Sequence, residues 1–344
     1  MTRQASPEPE VPQQAGKLLT QIAGYVGVRT IVIGLRLGLL EEIGKHQDGI
    51  TTESLAQQLS LDPFYVGVWC RSAYAAEVLD LGEQERYRLA PHMDKLLLDV
   101  NFPGHIGGVP QVMVQPEFFE HFEEKLPSGD RLWWDQCSPD FITAVSDTGR
   151  PFYNRMIPGG LSKVPGLQQR LEEGASVLEL ACGAGNGLSA MARTYPNCSF
   201  EGVDGDAYSL SLTKERLAGE GLQDRITLTQ STLEDFDASG AYDMVLINIS
   251  MHECRDIDKV TLNVHKALKP DGYFVISDFP FPASVEASRT VPARVMSGIQ
   301  FFEALIGDQL MPTQAFVDLL NGHGFRDVEA FDITPVHAVT FGRK

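Results

Sequence analysis

Two short segments carry the residues with the clearest chemistry. Gly183, Gly185 and Gly187 lie in a turn directly after the apolar run 177–180. Glycines in such a turn let the backbone come close to a ligand. Asp204 ends a second apolar run about twenty residues later, which is the spacing at which a carboxylate meets ribose hydroxyls in doubly wound folds. Together the two segments predict a β-α-β unit that binds a cofactor containing a ribose.

A nicotinamide dinucleotide is the first alternative for such a turn. Its usual fingerprint is G-x-G-x-x-G. After Gly183 and Gly185 the third glycine comes one residue early, at Gly187, and Leu188 occupies the required position. The turn therefore favours a different cofactor.

From about Tyr153 to Lys344 the chain resembles the class I S-adenosylmethionine (SAM)-dependent methyltransferases. The resemblance implies SAM as the cofactor and S-adenosylhomocysteine as the product. It assigns the methionine end of the cofactor to Glu179 and the ribose to Asp204. Ala181 replaces the first glycine usual in the family, and Ser231 stands where many members have an aspartate for the adenine amino group. The cofactor-binding residues implied are Glu179, Ala181, Gly183, Gly185, Asp204, Gly205, Ser231, Thr232, Leu233 and Asn248.

The candidate catalytic residue is His252. The segment 248–256, Asn-Ile-Ser-Met-His-Glu-Cys-Arg-Asp, resembles the His-Asp-Trp-Ser-Asp segment of plant-type small-molecule O-methyltransferases. The histidine of that segment is the general base, a role that the resemblance gives to His252. An imidazole with a pKa near neutrality is suited to proton removal. A packing role beside the cofactor stays open for His252, and Glu253 either orients the ring or faces water.

A second segment is expected to meet the methyl acceptor. Phe152-Tyr153-Asn154-Arg155-Met156 resembles the Phe-Asn-x-x-Met stretch that touches cofactor and acceptor in the same family. The Tyr153 phenol is a hydrogen-bond donor and a second catalytic candidate, and an arginine pairs well with a substrate carboxylate. The predicted substrate-binding residues are Trp133, Arg150, Tyr153, Arg155, Met156 and His252.

Two kinds of acceptor fit these residues. The whole-chain layout resembles small-molecule O-methyltransferases and also the methylthiohydroxybutyrate S-methyltransferase of dimethylsulfoniopropionate synthesis. A phenolic or secondary-metabolite hydroxyl needs a base, which would be His252. A thioether attacks the sulfonium directly, so an aromatic, desolvated pocket around Trp133 and Trp134 with one anchoring arginine, Arg150, would suffice. The sequence leaves both acceptors open.

The hydrophobic pattern predicts the strands and helices that would position these residues. Beyond residue 165 strands and helices alternate, which predicts an α/β fold with a Rossmann-like seven-stranded sheet. Strands are expected at 176–180, 199–204, 226–230, 242–249 and 272–278. The last two, at 327–333 and 337–342, suit an antiparallel hairpin at the sheet edge.

The N-terminal third predicts a helical domain with a winged-helix pattern. Two helices are expected over 13–43, joined near 24–27, and their wide apolar stripe is the candidate homodimer contact. Helices at 51–59 and 63–78 and a hairpin at 79–89 complete the pattern. The predicted domains are a disordered tail at 1–12, a winged-helix dimerisation domain at 13–100, a linker and substrate lid at 101–165 and the SAM-binding domain at 166–344. The part of the lid from 101 to 149 is rich in aromatic residues separated by Pro and Gly, and it is expected to be irregular.

The charge balance of the chain limits the classes of binding partner that are expected. The chain has 28 Lys and Arg against 46 Asp and Glu, so nucleic acid and anionic membrane surfaces are not expected to bind. A winged-helix regulator that responds to SAM is the alternative of another class, although four basic residues between 51 and 100 face eight acidic ones. A binding subunit without turnover is the third reading.

The cysteines and the apolar runs indicate in which cellular compartment the chain is expected. Five scattered cysteines without a C-x-x-C pair predict reduced cytoplasmic thiols and no metal site. The apolar run 30–40 is far short of the roughly 20 residues that a membrane span needs.

Overall fold

The computed structural model describes residues 10–344, which form two compact units. The first unit reaches to Val100 and also contains His105–Gln111, and the second comprises Asn101–Gly104 and Val112–Lys344. The predicted tail 1–12 lies mostly outside the described residues, and its last two positions already belong to the first helix. The predicted domain boundaries stay predictions.

The first unit is helical with one small hairpin. Its helices are α1 (Val11–Arg36), α2 (Leu39–Gly44), α3 (Thr52–Leu59), α4 (Pro63–Ala75) and α5 (Met93–Leu97), and its strands are β1 (Leu79–Leu81) and β2 (Tyr87–Leu89). The Thr51 side chain caps α3, and Asp62 caps α4 ahead of Pro63. The two strands pair antiparallel.

Helix α1 runs without a break through the position where two helices were expected to meet. Gly24 and Gly27 lie within it, and the prediction of a joint at 24–27 was therefore wrong. A glycine costs a helix about 1 kcal/mol relative to alanine, but it does not force an end. The hydrogen-bonded turns on either side carry the helix across both positions.

The face of α1 is unusually apolar. Leu18, Leu19, Ile22, Tyr25 and Val26 are all at least half exposed. Within the described part of the chain, α1 is also the one helix long and apolar enough to cross a membrane by length and composition, whereas none was expected.

The second unit opens with helices where the sequence indicated irregular structure. These are α7 (Glu120–Lys125) and α8, which runs from Pro139 to Arg155, whereas α6 (Gly108–Val112) falls almost entirely in the His105–Gln111 part of the first unit. The prediction of an irregular segment up to residue 149 was wrong because Ser138 caps α8 and Pro139 sits in its first turn. Gly149 and Pro151 are both accommodated inside the helix.

Helices and strands alternate over most of the remaining second unit. They are α9 (Leu167–Glu173), β3 (Ser176–Leu180), α10 (Asn186–Thr194), β4 (Ser199–Asp204), α11 (Ala207–Gly219), β5 (Ile226–Gln230), β6 (Tyr242–Asn248), α12 (Ile257–Ala267), β7 (Leu268–Asp278), α13 (Val291–Ile306), α14 (Thr313–Gly322), β8 (Arg326–Thr334) and β9 (His337–Arg343).

The strands form one sheet in the order β5-β4-β3-β6-β7-β9-β8. The first five strands of that order are mutually parallel, and β9 pairs antiparallel with both β7 and β8. The predicted seven-stranded α/β sheet with an antiparallel hairpin at its edge is confirmed. The chain order reverses at β3, so the carboxyl ends of β3, β4 and β6 meet at the crevice where such sheets bind ligands.

Candidate active site

A cavity of about 660 Å³ opens at the carboxyl ends of these strands. Its walls combine the turns after β3, β4 and β6 with helix α8 and the Trp133 region. The described residues that line it include Trp133, Trp134, Ile142, Val145, Tyr153, Ala181, Gly183, Asn186, Asp204, Gly205, Gln230, Asn248, Ile249, Glu253 and Arg255. One end is rich in glycine and carboxylate, and the other is aromatic.

The turn after β3 is held by Asp204. The Gly183 amide donates to Asp204 Oδ2 and the Asp206 amide to Oδ1, each at 2.8 Å. Gly183 has a φ of +53°, and among the described residues nothing lies within 4 Å of the place where its Cβ would be. Ala181 has a φ of +49°, a region that favours glycine and thus accounts for glycine being usual at this position in the family that the chain resembles.

Glu179, at the end of β3, is almost completely buried. Its Oε1 accepts a 2.5 Å hydrogen bond from the Tyr153 hydroxyl, while no described residue bonds to Oε2. Burial raises the pKa of Glu179 to about 8, and the nearby Asp204 charge adds to that rise. A Cβ at Gly187 would overlap Glu179 Oε1 and the Tyr153 ring, so a glycine is needed there.

A chain of hydrogen bonds fixes the Asn248 amide. Arg155 Nε donates to His337 Nδ1 at 3.1 Å, so the ring proton lies on Nε2, 2.8 Å from Ser277 Oγ. The Ser277 hydroxyl donates to Asn248 Oδ1 at 2.6 Å. Asn248 Nδ2 is left as a buried donor without a partner in the described structure.

These groups fit a SAM molecule. The unused Glu179 Oε2 is a natural acceptor for the methionine ammonium group, and the open space beside Gly183 admits the chain that joins it to the ribose. Asp204 stands beyond the turn with one lone pair of each oxygen still available. At the adenine end Gln230 lines the cavity, whereas Ser231, Thr232 and Leu233, predicted for this role, are not part of the lining that the described residues form.

His252 lies behind the cavity wall. It belongs to a short 3₁₀ helix, Met251–Glu253, and its side chain is only 1% exposed. Its Nδ1 is 2.9 Å from Asp278 Oδ2, at the end of β7, and its Nε2 is 3.5 Å from Glu303 Oε2 on α13. Burial opposes the charged imidazole, but the two carboxylates together raise its pKa well above the usual value. The base role of His252 stays a prediction.

The cavity wall is instead formed by the neighbours of His252. Glu253 lines the cavity, and burial together with the Glu303 charge raises its pKa to about 8. Half-buried Asp308 lies in the same acidic cluster, and burial and Glu303 raise its pKa to about 6.

At the acceptor end, the Arg255 guanidinium stacks over the Trp133 ring at 4.4 Å from its centroid. Both residues line the cavity together with apolar Ile142, Val145 and Ile249. This end offers an aromatic surface and a positive charge.

Three other predicted acceptor contacts are engaged elsewhere. Arg150 pairs with Asp147 at 3.1 Å, and Arg155 is bound to His337 and to the Pro103 carbonyl. Met156 is fully buried in the core. Gly185 begins α10 with its backbone packed against Thr213.

Sequence reasoning missed Arg255, Asp278 and Glu303. Asp278 carried a readable signal, because it ends an apolar strand of a parallel sheet as Asp204 does. Glu303 is the lone acid in the apolar run 301–306 of α13, which indicates a buried partner but not which one.

Comparison with known proteins agrees with a methyltransferase domain. Residues 171–318 match the family model described as a methyltransferase domain. The C-methyltransferase of ubiquinone and menaquinone biosynthesis from Geotalea uraniireducens is 26% identical over 220 residues, which cover 56% of this chain and 91% of that protein.

Solved structures extend the similarity to the whole chain. An O-methyltransferase family protein from Burkholderia thailandensis superposes with a TM-score of 0.72 at 17% identity, covering 98% of this chain and 99% of that one. Human N-acetylserotonin methyltransferase, solved in complex with SAM, gives a TM-score of 0.69 at 15% identity with 99% of both chains covered. At such identities the likeness establishes the fold.

Proposed function

The chain is a SAM-dependent methyltransferase of the class I fold, and we propose that it methylates a hydroxyl oxygen of a small aromatic molecule. The observation that carries this proposal is the single cavity that joins the cofactor-fitting turn to the aromatic end at Trp133. Its volume of about 660 Å³ is within the range for small-molecule sites.

Bound SAM supplies an electrophilic methyl group on its sulfonium. Methyl transfer is an in-line displacement, so the chain must align the acceptor and exclude water. We assign cofactor binding to Glu179, Asp204 and Asn248. Trp133 and the apolar side chains at the acceptor end would hold an aromatic ring by stacking and dispersion.

A second acceptor class is favoured by Arg255. Its guanidinium lines the cavity, so a substrate carboxylate has a partner there even though Arg150 is engaged with Asp147. A methylthio-hydroxy acid would place its carboxylate against Arg255 and its thioether toward the methyl group. That acceptor needs no proton-accepting group, and His252 is enclosed behind the wall.

We further propose that the first unit is a winged-helix dimerisation domain. Its order of helices followed by the β1-β2 hairpin and the exposed apolar face of α1 support this assignment. A second copy of the chain is the proposed occupant of that face. The five free cysteines are typical of a reducing compartment, which supports a cytoplasmic location.

The acceptor is tested with methyl-labelled SAM. The purified chain is incubated with phenolic compounds and, separately, with methylthio-hydroxy acids, and labelled products are identified by mass spectrometry. We expect label on a phenolic oxygen. Label on the thioether alone would replace the first acceptor with the second.

Two variants accompany the assay. Asp204→Ala removes the proposed ribose contact and should lose label transfer in both sets. Asp224→Ala, an exposed acid on the surface, is the matched control and should retain it. Equal transfer by both variants would contradict the cofactor assignment.

A further inference from the structure

Four polar side chains form a hydrogen-bond relay that ends in the cavity wall. It runs from Arg155, at the end of α8, through His337 at the start of β9 and Ser277 on β7 to Asn248 on β6. His337 and Ser277 are fully buried, and Asn248 is 3% exposed. Among the four, only Asn248 belongs to the described lining of the cavity. The relay therefore connects the cavity wall to groups that lie behind it.

The sheet brings the members of the relay together. Asn248 and Ser277 are neighbours in the parallel register of β6 and β7. Successive side chains of a strand point to opposite faces, so Ser277 meets Asn248 while Asp278, the next residue, meets His252 on the other face. The Phe152 ring packs on His337 with 4.5 Å between the ring centroids, which holds the imidazole in place.

The direction of each bond in the relay is set at Arg155. A guanidinium has donors only, and burial lowers the pKa of Arg155 to about 10, which leaves it charged at neutral pH. His337 Nδ1 must therefore accept, and the ring is neutral because burial and Arg155 lower its pKa to about 3. The ring proton is on Nε2 and points at Ser277 Oγ.

The same direction fixes the orientation of the Asn248 amide. Because Ser277 Oγ accepts from His337, its own hydroxyl proton is free to be donated to Asn248, 2.6 Å away. The group that receives this proton must be the amide oxygen, Oδ1, since the amide nitrogen has no lone pair to offer. Asn248 Nδ2 is thereby turned to the opposite side, as a donor.

This donor lies at the methionine end of the proposed cofactor site. Asn248 Nδ2 is buried and makes no hydrogen bond to a described residue. Burial and the Glu179 charge raise the pKa of the Tyr153 phenol, and Asn248 opposes that rise, as an N–H group facing a phenol oxygen does. The Tyr153 hydroxyl donates to Glu179 Oε1. Nδ2 is therefore next to the pair that would meet the cofactor ammonium group.

A buried N–H group nearly always has a partner, so a ligand atom or a water molecule is expected at Nδ2. An ammonium group cannot be that partner, because it has no lone pair, and Glu179 Oε2 is available to accept from it. The methionine part of SAM has a carboxylate on the same carbon atom as the ammonium group. A fixed donor beside Glu179 complements that carboxylate.

We propose that Arg155, His337 and Ser277 are positioning residues that fix Asn248 as a donor to the cofactor carboxylate. This inference rests on the cofactor site of the proposed function and deepens it, because it decides which end of the amide faces the ligand. Ser277 and His337 act on the ligand only through Asn248. If Nδ2 instead holds a water molecule that does not touch the cofactor, the affinity for the cofactor will not depend on the relay.

Binding of S-adenosylhomocysteine tests the donor, because this product keeps the carboxylate and has no methyl group to transfer. Isothermal titration of the full chain should show Asn248→Ala weaker than the wild type by about 10- to 100-fold. Asn248→Asp should bind more weakly still, since it opposes one carboxylate with another. Tighter binding by Asn248→Asp would place the amide oxygen against the ammonium group and would overturn the proposal. A wild type that does not bind would overturn the cofactor site as well.

A double-mutant cycle tests the positioning role. Ser277→Ala should weaken binding of S-adenosylhomocysteine by about 10-fold in the wild type but by less than about twofold in Asn248→Ala. Thr261→Val is the control, because it removes a buried hydroxyl that bonds only to the Ile257 carbonyl of its own helix, and it should bind as the wild type does. An equal loss from Ser277→Ala in both backgrounds would indicate a general packing defect and would overturn the relay.

The His337 ring proton gives a readout that needs no ligand. Long-range ¹H–¹⁵N correlation spectra of histidine-labelled protein should show the neutral tautomer with its proton on Nε2. Arg155→Met removes the obligatory donor, so it should populate the Nδ1–H tautomer and weaken binding of S-adenosylhomocysteine several-fold from outside the cavity lining. If this variant unfolds in a thermal scan, the wild-type tautomer decides alone. A proton on Nδ1 in the wild type would overturn the proposed direction and leave the methyltransferase assignment standing.

Discussion

Glu179 is a buried carboxyl group that faces the proposed ammonium group of the cofactor. Burial raises its pKa to about 8, the charge of Asp204 adds to the rise, and the Tyr153 hydrogen bond opposes it. Below pH 8 the free protein therefore holds Glu179 mostly protonated. Binding a cation next to Oε2 stabilises the carboxylate and releases the proton.

We predict that SAM affinity rises with pH up to about pH 8. The gain should be close to tenfold between pH 6 and pH 7 and should level off above the pKa. Isothermal titration in buffers of different ionisation enthalpy measures both the affinity and the released proton. Glu179→Gln should bind weakly with no such slope. A wild type whose affinity is flat over this range would contradict the assignment of Glu179.

His337 makes a separate contribution to acid sensitivity. It is fully buried, and burial together with the positive charge of Arg155 lowers its pKa to about 3. An unfolded histidine has a pKa near 6.5. The unfolded chain thus takes up a proton below pH 6.5 that the folded chain refuses, so folding stability is lost as the pH falls toward 3.

The expected loss at His337 is about 2 kcal/mol between pH 7 and pH 5, from about 1.4 kcal/mol for each unit below 6.5. Urea unfolding at the two pH values measures it. His337→Gln should be less stable at pH 7 but should lose about 2 kcal/mol less on acidification. His46→Gln, at a partly exposed site in the first unit, is the control and should lose as much as the wild type.

At the scale of single residues, only part of the candidate active site could be predicted from the sequence. Asp204 and the glycines were recognisable because one turn needs a fixed residue type at a fixed spacing. The partners of His252 were not, because Asp278 and Glu303 lie 26 and 51 positions away and meet it only through the sheet order. Arg155 matched a motif but is committed to His337, a contact that no local pattern encodes.

At the scale of elements, the hydrophobic pattern predicted most strands to within a residue, whereas glycine and proline misled the helix predictions twice. Gly24 lies inside α1, and Pro139 and Gly149 lie inside α8, within the segment that was expected to be irregular. Both helices persist because neighbouring turns and tertiary packing outweigh the local cost. The alternation of the sheet was easier to predict because each parallel strand is a short apolar run bounded by turn residues.

Helix α1 offers a matched pair of glycines. Gly24 has open surroundings in the described structure, but a Cβ at Gly34 would lie 2.6 Å from Trp69 Cζ2 and 2.9 Å from Leu40 Cγ. We predict that Gly24→Ala stabilises the first unit by up to about 1 kcal/mol. Gly34→Ala should destabilise it by about 1 to 3 kcal/mol through overpacking.

Thermal unfolding followed by circular dichroism measures both glycine variants, with the wild type beside them. The two variants should change the melting temperature in opposite directions. If both variants stabilised the chain equally, helix propensity would be the whole effect and the packing of α1 against Trp69 would not be as described.

At the scale of the molecule, the exposed apolar face of α1 has no partner in the described structure. Leu18, Leu19 and Ile22 are each about 60% exposed. A contiguous apolar surface of this kind marks an interaction site. The sequence indicated this face from the width of its stripe, and the unbroken helix makes it longer than predicted. We propose that a second copy of the chain covers it in a closed, two-fold assembly.

We predict a homodimer that depends on α1. Leu19→Glu combined with Ile22→Glu places charges in the proposed contact, and the loss of two buried aliphatic side chains should weaken dimerisation at least about 100-fold. Light scattering during size-exclusion chromatography measures the mass of each form. Leu262→Glu, an exposed leucine on α12, is the control and should remain dimeric. A wild type that is monomeric in solution and sediments with lipid vesicles would instead assign the α1 face to a membrane, because the same length and hydropathy serve both purposes.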